Sequence, residues 1–142
     1  MKYREALLSD IPAICDVRSS VLENRLADPA SVTREMCAEY LTEMGKGWVC
    51  EIEGEIAGFS IACRADSSIW ALFVRPEFEG RKIGQGLLQL AVEWLFATGS
   101  DTIILSTDPG TRADRFYTAQ GWTRGDTRPN GEVGFCLTRK IV

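Results

Sequence analysis

The chain has 142 residues, of which 45% are apolar and 25% are charged, and this composition predicts one globular domain over residues 1–142. The formal net charge of −4 argues against nucleic acid as a main partner and is compatible with cationic amine acceptors. Histidine is absent, which excludes Ser-His-Asp and Cys-His catalysis and histidine-based zinc sites within the chain, so we expect no metal site. Acid–base chemistry must then use carboxylates, Tyr, Cys, Lys or water.

The sequence carries no signal for export or membrane insertion. Charged residues rather than an apolar core follow Met1, and no apolar run approaches the ~18 residues that a membrane helix needs. The cysteines are odd in number, widely spaced and without a C-x-x-C pair; they are Cys15, Cys37, Cys50, Cys63 and Cys136. We therefore interpret them as free thiols and expect a reducing, cytoplasmic location without a membrane partner.

The first part of the chain predicts a strand, two helices and a hairpin. The elements are a strand over residues 2–6, a helix capped by Ser9 or Asp10, a break over residues 24–29, a second helix capped by Ser31 or Thr33 and ended by Gly45 and Gly47, and alternating strands over residues 48–53 and 55–64. Pro12 falls in the first turn of its helix, where a missing N–H is harmless. Gly54 separates the two alternating strands and indicates a hairpin.

A strand, a glycine-containing loop and a helix follow each other between residues 69 and 98. The strand over residues 69–74 is apolar and rich in β-branched and aromatic side chains, and Pro76 ends it because proline cannot donate to a sheet ladder. The loop reads Arg81-Lys82-Ile83-Gly84-Gln85-Gly86, and apolar residues then recur at helical spacing. Unpartnered N–H groups and the helix dipole at such a helix start predict a phosphate or pyrophosphate site, although the glycines alone also fit a simple tight turn.

Two common phosphate-binding loops can be rejected. The Walker loop requires G-x-x-x-x-G-K-[ST], which does not occur, and the dinucleotide fingerprint requires a third glycine where Gln89 stands. What remains is a [Q/R]-x-x-G-x-[G/A] loop that follows Val74-Arg75-Pro76. This combination resembles the acetyl-coenzyme A loop of the Gcn5-related N-acetyltransferases (GNAT).

The last part of the chain contains a second motif of the same family. The predicted elements are a strand over residues 102–105, a loop over 106–110, a helix over 111–120, a turn over 129–131 and a strand over 133–142. The helix carries the pattern A-x-x-F-Y-x-x-x-G-W between Ala113 and Trp122, which resembles the second acetyl-coenzyme A motif. Ala113, Phe116 and Tyr117 share one face of this helix, and Gly121 can end it in the left-handed conformation.

The resemblance covers the chain from about Trp48 to its end and implies a fold. We expect a mixed α/β (α+β) fold with a central, mostly antiparallel sheet that is splayed between its fourth and fifth strands, and helices on both faces. The pantetheine arm of the donor would then pair with the backbone of Phe73 and Val74 like an added strand. The N–H of Val74 would also polarise the thioester carbonyl.

The resemblance also implies an activity. We expect an N-acetyltransferase that binds acetyl-CoA and transfers its acetyl group, by direct attack in a ternary complex, to a primary amine of a small molecule or a protein. A donor with another short acyl group and a non-catalytic sensor of acyl-coenzyme A remain as alternatives. The acceptor is left open, and so is a homodimer.

The two motifs give a set of candidate site residues. The expected cofactor contacts are Phe73, Val74, Arg81, Lys82, Ile83, Gly84, Gln85, Gly86, Thr107, Asp108, Ala113 and Phe116. Tyr117 is the expected general acid, which would protonate the leaving thiolate of coenzyme A. The alternatives are that Tyr117 and Phe116 pack in the core and that Arg81 and Lys82 form a solvated basic surface.

The sequence departs from the family pattern at two positions. Gly110 stands where relatives often have an asparagine that grips the pantetheine, and Asp108 or Thr111 could replace that contact. Trp70 stands where some relatives have a glutamate base, and an indole cannot act as a base. We therefore expect a water chain that ends at a carboxylate or a backbone carbonyl, and the carboxylate candidates are Glu23, Asp66 and Glu132.

Overall fold

A mixed sheet of seven strands, in the order β1-β2-β3-β4-β5-β7-β6, organises the residues that the computed structural model describes, 1–21 and 32–139. The strands are β1 (Lys2–Glu5), β2 (Gly45–Ile52), β3 (Glu55–Cys63), β4 (Ser68–Val74), β5 (Thr102–Thr107), β6 (Thr123–Thr127) and β7 (Val133–Thr138). The helices are α1 (Ile11–Ser20), α2 (Arg34–Thr42), α3 (Ile83–Ala97) and α4 (Arg112–Ala119), with short 3₁₀ turns at Leu8–Asp10 and Pro76–Phe78. Every strand pair is antiparallel except β4 with β5, which confirms the predicted mixed sheet.

The helices cover both faces of the sheet, as predicted. Alternate residues of a strand point to opposite faces, so Val49 packs with Ile14 of α1 on one face, while Trp48 packs with α3 on the other. The first core is built around Phe59 and the second around Leu87, and both side chains are fully buried. α4 joins the second core through Tyr117.

Local sequence signals account for most element boundaries. The Thr33 hydroxyl accepts a hydrogen bond from the N–H of Met36 at 3.1 Å, so Thr33 caps α2; the other candidate, Ser31, and the expected break at residues 24–29 lie outside the described residues. β2 begins at Gly45, three residues earlier than predicted. A Cβ atom at Gly45 would lie only 1.7 Å from the carbonyl oxygen of Ala62, so this position accepts only glycine because the β3 backbone approaches so closely.

The cysteines are free thiols, as predicted. Cys37, Cys50 and Cys63 are buried, and burial raises the thiol pKa of each. These side chains are therefore protonated at neutral pH and pack as small apolar groups.

β4 contains a bulge at Trp70. Ile61 of β3 is paired with Ala71 and Ala62 with Ile69, so Trp70 has no partner in the ladder. A bulge bends a strand and increases its local twist. The Trp70 ring stacks on Tyr40 of α2, with ring centroids 3.9 Å apart and planes at 9°, and this contact supports the bulge from the helix side.

β4 and β5 separate just beyond their first contact. They share one pair in register, Ser68 with Ile104, and the N–H of Ile104 donates to the carbonyl of Ser67 at 2.9 Å. Phe73 and Val74 remain paired with β3 on one side only, so their other edge faces an open gap. The predicted splay between the fourth and fifth strands is confirmed, and the bulge at Trp70 lies where the strands begin to diverge.

An ion pair fixes α4 to the edge of the sheet. The carboxylate of Asp114 accepts two hydrogen bonds from the guanidinium of Arg124 on β6, at 2.9 and 3.0 Å, and a third from the N–H of Gly110 at 2.9 Å. These hydrogen bonds lower the pKa of Asp114 to about 2. Thr111 caps the same helix through the N–H of Asp114.

We expect Asp114→Asn to lower the midpoint of thermal unfolding at neutral pH. The folded-state pKa of Asp114 is about 2 against an ordinary value of 3.8, so the carboxylate stabilises the fold above pH ~4 and loses that contribution as pH falls toward 2. Thermal unfolding measured at several pH values should show a gap between the two proteins that closes over this range. The exposed Asp126→Asn is the control, and an equally large gap for that variant would contradict the assignment.

Candidate active site

Two cavities meet at the open edge of β4. The α3 cavity has a volume of about 550 Å³ and its walls are Val21, Leu72, Phe73, Val74, Phe78, Glu79, Gly80, Lys82, Ile83, Gly84, Gln85, Arg112, Ala113, Phe116, Tyr117 and Gln120. The α1 cavity has a volume of about 790 Å³ and lies on the side of α1 and α2. The residues that belong to both cavities are Leu72, Phe73, Ala113 and Tyr117. A ligand in the gap between β4 and β5 is therefore reachable from both sides of the sheet.

The predicted anion loop forms one end of the α3 cavity. Lys82 precedes α3 in the left-handed conformation, with φ 63°, which turns the chain sharply into the helix. Lys82, Ile83, Gly84 and Gln85 all line the cavity, and the first N–H groups of a helix have no partner within it. A Cβ atom at Gly84 would lie in ordinary van der Waals contact, 3.8 Å from the side chains of Phe116 and Val74, so a larger side chain there would occupy the cavity that these residues line.

Two residues of the loop have contacts outside the cavity. The N–H of Gly86 already donates to the carbonyl of Lys82 at 3.2 Å, and its Cα faces Tyr3, whose hydroxyl would lie 2.6 Å from a Cβ atom. Position 86 therefore favours a glycine because Tyr3 of β1 packs against it. Its N–H forms a hydrogen bond within the first turn of α3. Arg81 does not line the cavity either; its guanidinium lies over the ring of Phe78, 5.4 Å from the ring centroid.

Tyr117 lies where the two cavities join. Its ring is 6% exposed and packs edge-on against Phe116 and Trp122, with centroids 5.2 and 5.8 Å away. Desolvation raises the pKa of Tyr117 well above its ordinary value, so the phenol keeps its proton at neutral pH. Among the described residues no group forms a hydrogen bond with this hydroxyl, which leaves it available to a ligand.

The last residue of β5, Thr107, and the first residue of the following loop, Asp108, line the α1 cavity and are absent from the walls of the α3 cavity. Gly110, where relatives often have an asparagine, has φ 76° and uses its N–H to bind Asp114. The hydroxyl of Thr111 donates to the carbonyl of Asp108 at 2.7 Å and caps α4. Of the two residues expected to replace the asparagine, Asp108 alone lines a cavity, because Thr111 is buried and engaged within its own helix cap.

Two of the three predicted base candidates lie in the α1 cavity. Glu132 accepts a hydrogen bond from the Asn130 amide at 2.7 Å and one from the Ser106 hydroxyl at 3.4 Å. Ser106 lies near the carboxyl end of β5, so Glu132 borders the open end of the gap. Asp66 precedes β4 and accepts from Ser68, which lies at the closed end. Glu23, the third candidate, lies outside the described residues.

Some residues of the site carry no motif that sequence reasoning could have used. Arg112 lines the α3 cavity and forms an ion pair with Glu79 at 3.3 Å, which brings together the loop before α3 and the start of α4. Arg18 on α1 enters the α1 cavity, with its guanidinium 4.0 Å from the ring centroid of Phe73. In the sequence both appear as ordinary helical arginines, since their partners are distant in the chain.

The described residues contain no group of His, Cys, Asp or Glu side chains that could hold a metal ion. None of the helices in this part of the chain combines the length and apolar character needed to cross a membrane.

Comparison with known proteins assigns the fold and the motifs to one family. The model of the acetyltransferase (GNAT) family matches residues 13–122, which include both the loop at α3 and the whole A-x-x-F-Y-x-x-x-G-W motif. The chain therefore belongs to the GNAT acetyltransferase family, whose members use acetyl-CoA as the acyl donor.

Similar proteins and structures fit this assignment. The chain is 34% identical over 87 residues to a mycothiol acetyltransferase of Stackebrandtia nassauensis, covering 56% of this chain and 28% of that protein. The ribosomal-protein-S18-alanine N-acetyltransferase of Escherichia coli superposes with a TM-score of 0.79 at 16% identity, covering 99% of this chain and 95% of that chain. The PaiA N-acetyltransferase of Thermoplasma acidophilum, solved with coenzyme A, gives a TM-score of 0.79 at 15% identity, covering 97% and 98%.

The curated relatives are longer proteins. The matched segments span 28% and 31% of the two relatives, so less than a third of each relative is covered by the match. The similarity supports the family and the fold. The acceptor named for each relative is not assigned to this chain.

The α3 cavity fits a pyrophosphate-containing ligand with an extended arm. Lys82 supplies positive charge beside the open N-terminus of α3, and Gly84 leaves room for a close approach to the backbone. The unpaired edge of Phe73 and Val74 offers backbone N–H and C=O groups to an amide-containing chain such as pantetheine.

We expect Gly84→Val to fold normally and to lose coenzyme A binding, because its side chain projects into the α3 cavity. Isothermal titration calorimetry with coenzyme A measures this effect. Gly86→Ala is the matched variant, since its added methyl group meets Tyr3 outside the cavity. It should retain affinity even if its stability falls. Unchanged affinity in a folded Gly84→Val protein would remove the loop from the binding site.

Proposed function

We propose that this chain is an acetyltransferase that moves the acetyl group of acetyl-CoA to a primary amine within a ternary complex. The observation that carries the proposal is the meeting of two cavities at the free edge of β4 beside the hydroxyl of Tyr117. A sensor of acyl-coenzyme A needs the α3 cavity alone. The α1 cavity, which opens onto the same gap from the other face, provides the space that an acceptor requires.

In the proposed complex, the residues of the α3 cavity hold the donor. Backbone N–H groups of Ile83, Gly84 and Gln85 bind the pyrophosphate, with Lys82 adding charge. The acetyl thioester of the bound donor supplies the activated acyl group. The N–H of Val74 orients and polarises its carbonyl, and the walls formed by Phe116 and Tyr117 exclude water from it.

The α1 cavity receives the amine. An alkylammonium group has a pKa of roughly 10.4, so the acceptor must lose a proton before it can attack. Glu132 borders the open end of the gap, through its hydrogen bond with Ser106, whereas Asp66 lies near the closed end. We assign Glu132 as the group that takes this proton, directly or through one water molecule.

Tyr117 is assigned as the general acid. Tyr117 lines both cavities, and burial raises the pKa of its phenol, which keeps it protonated. A proton donated to the departing sulfur avoids release of a free thiolate, whose conjugate acid has a pKa of roughly 8.5. Positioned proton transfer of this kind is worth about 10²–10⁴-fold in rate.

The activity itself is tested by release of free thiol from acetyl-CoA in the presence of pooled amines, namely amino acids, polyamines, aminoglycosides and peptides. Amine-dependent thiol release, with the acetylated amine identified by mass spectrometry, is the expected result. Tight binding of acetyl-CoA without turnover of any pool would favour the sensor alternative.

We expect Tyr117→Phe to reduce kcat by about 10²-fold or more while coenzyme A affinity stays close to that of the wild type. The change removes one hydroxyl and keeps the ring that packs against Trp122 and Phe135. Steady-state kinetics and calorimetry together measure the two quantities. A variant that binds weakly but turns over normally would assign Tyr117 to packing.

The base is tested by a pair of carboxylate variants. Glu132→Gln should lower the rate and remove the ionisation on the acidic side of the pH–rate profile, because an amide cannot accept the proton. Asp66→Asn lies in the same cavity but near the closed end of the gap, and it should leave the profile unchanged. Identical profiles for wild type and Glu132→Gln would exclude Glu132 as the base.

A further inference from the structure

The α1 cavity contains a buried cationic atom without a partner. Nη1 of Arg18 is enclosed, and among residues 1–21 and 32–139 it is the one buried side-chain nitrogen or oxygen that forms no hydrogen bond. No described carboxylate oxygen lies within ion-pair distance of this guanidinium. The guanidinium forms a cation–π contact with Phe73, with its Cζ atom 4.0 Å from the ring centroid.

This arrangement is costly in the absence of a ligand. A buried charged donor that lacks an acceptor loses the free energy of hydration without compensation. Burial lowers the pKa of Arg18, and the negative charge of Asp108 acts in the opposite direction. Arg18 is a partly exposed residue, so the cost falls on the enclosed Nη1 atom, and an anion that pairs with the guanidinium on the side of Nη1 would relieve it.

The position of Arg18 links it to the acceptor. Phe73 belongs to both cavities and borders the gap, so Arg18 approaches the reaction position from the α1 side. Arg18 lines the α1 cavity and is absent from the walls of the α3 cavity. An anion bound to Arg18 is therefore part of the acceptor or lies directly beside it.

The charges around the α1 cavity favour an acceptor of mixed charge. Asp66, Asp108 and Glu132 are its acidic residues and suit the ammonium group of an amine, and they disfavour a dianion such as a phosphate monoester. The other cation of this cavity, Arg128, lies against Gly134 of β7, with Nε 3.0 Å from the position of an added Cβ atom. A planar guanidinium matches a carboxylate through paired hydrogen bonds.

We propose that Arg18 is a specificity residue of the acceptor site and that the acceptor is a primary amine with a carboxylate close to it, as in a free amino acid. The proposal rests on the proposed function, since it names the acceptor of the same site. The carboxylate pairs with the guanidinium above Phe73, and the amine lies toward Glu132 and the gap.

Two matched probe pools test the proposal. One is an equimolar pool of the common L-amino acids without cysteine, and the other contains the corresponding carboxamides. The carboxamides have less basic amines, so more of their molecules are unprotonated and a preference for the acids cannot arise from protonation. We expect the wild-type kcat/KM, measured by thiol release, to be at least about ten-fold higher for the acid pool.

Three variants assign the preference to Arg18. Arg18→Gln should lower kcat/KM for the acids by about ten- to a hundred-fold and change that for the carboxamides little, whereas Arg18→Lys should recover part of the difference. Arg64→Gln is the control, because Arg64 also lies over an aromatic ring, that of Trp94 at 5.9 Å, but outside both cavities. Unchanged coenzyme A affinity in each variant shows that it is folded.

A binding measurement separates recognition from turnover. In the presence of coenzyme A, the acid pool should raise the unfolding temperature of the wild type more than the carboxamide pool does, and Arg18→Gln should lose this difference. Equal or better turnover of the carboxamides, or an equal loss for both pools in Arg18→Gln, would overturn the proposal. Turnover of polyamines or peptides alone would overturn it and leave the proposed function intact, whereas no turnover of any amine would remove both.

Discussion

The separation of β4 from β5 is the constraint on which the rest of the site depends. A sheet strand with one unpaired edge exposes backbone donors and acceptors that need partners, and here that edge lies inside the protein at Phe73 and Val74. The bulge at Trp70, held by its stack on Tyr40, bends β4 where the strands diverge. The gap is thus built into the fold, and in the proposed complex the pantetheine arm of the donor pairs with this edge.

The two faces of the sheet divide the chemistry at this gap. On the α3 face, the open helix terminus and Lys82 suit a phosphate, and the aromatic walls of α4 suit an apolar arm. On the α1 face, charged side chains of both signs suit a polar acceptor. Tyr117 belongs to both sides, and its surroundings of Phe116, Trp122 and Phe135 keep its hydroxyl neutral in the absence of any histidine.

Asp114 is buried and Arg18 is partly buried, and these two charged residues differ in their hydrogen bonds. Asp114 has hydrogen bonds from Arg124 and Gly110, and it fixes α4, the helix that carries Tyr117, to the edge of the sheet. Arg18 has a buried nitrogen that forms no hydrogen bond, and it lines the α1 cavity, which is the proposed acceptor site. The Asp114 carboxylate stabilises the fold at neutral pH. The Arg18 guanidinium can still gain free energy from a hydrogen bond with a ligand.

Local patterns in the sequence determined the order of the elements, the glycine-containing start of α3 and the helix that carries Tyr117, because periodicity, proline and glycine act within a few residues. The mixed sheet and its splay followed from the family resemblance of those motifs. Only the tertiary structure decided that Gly86 packs against Tyr3, that Trp70 forms a bulge, and that Arg18 and Glu132 face one cavity with Tyr117. These outcomes depend on contacts between side chains far apart in the chain, where packing and register, rather than local propensity, set the geometry.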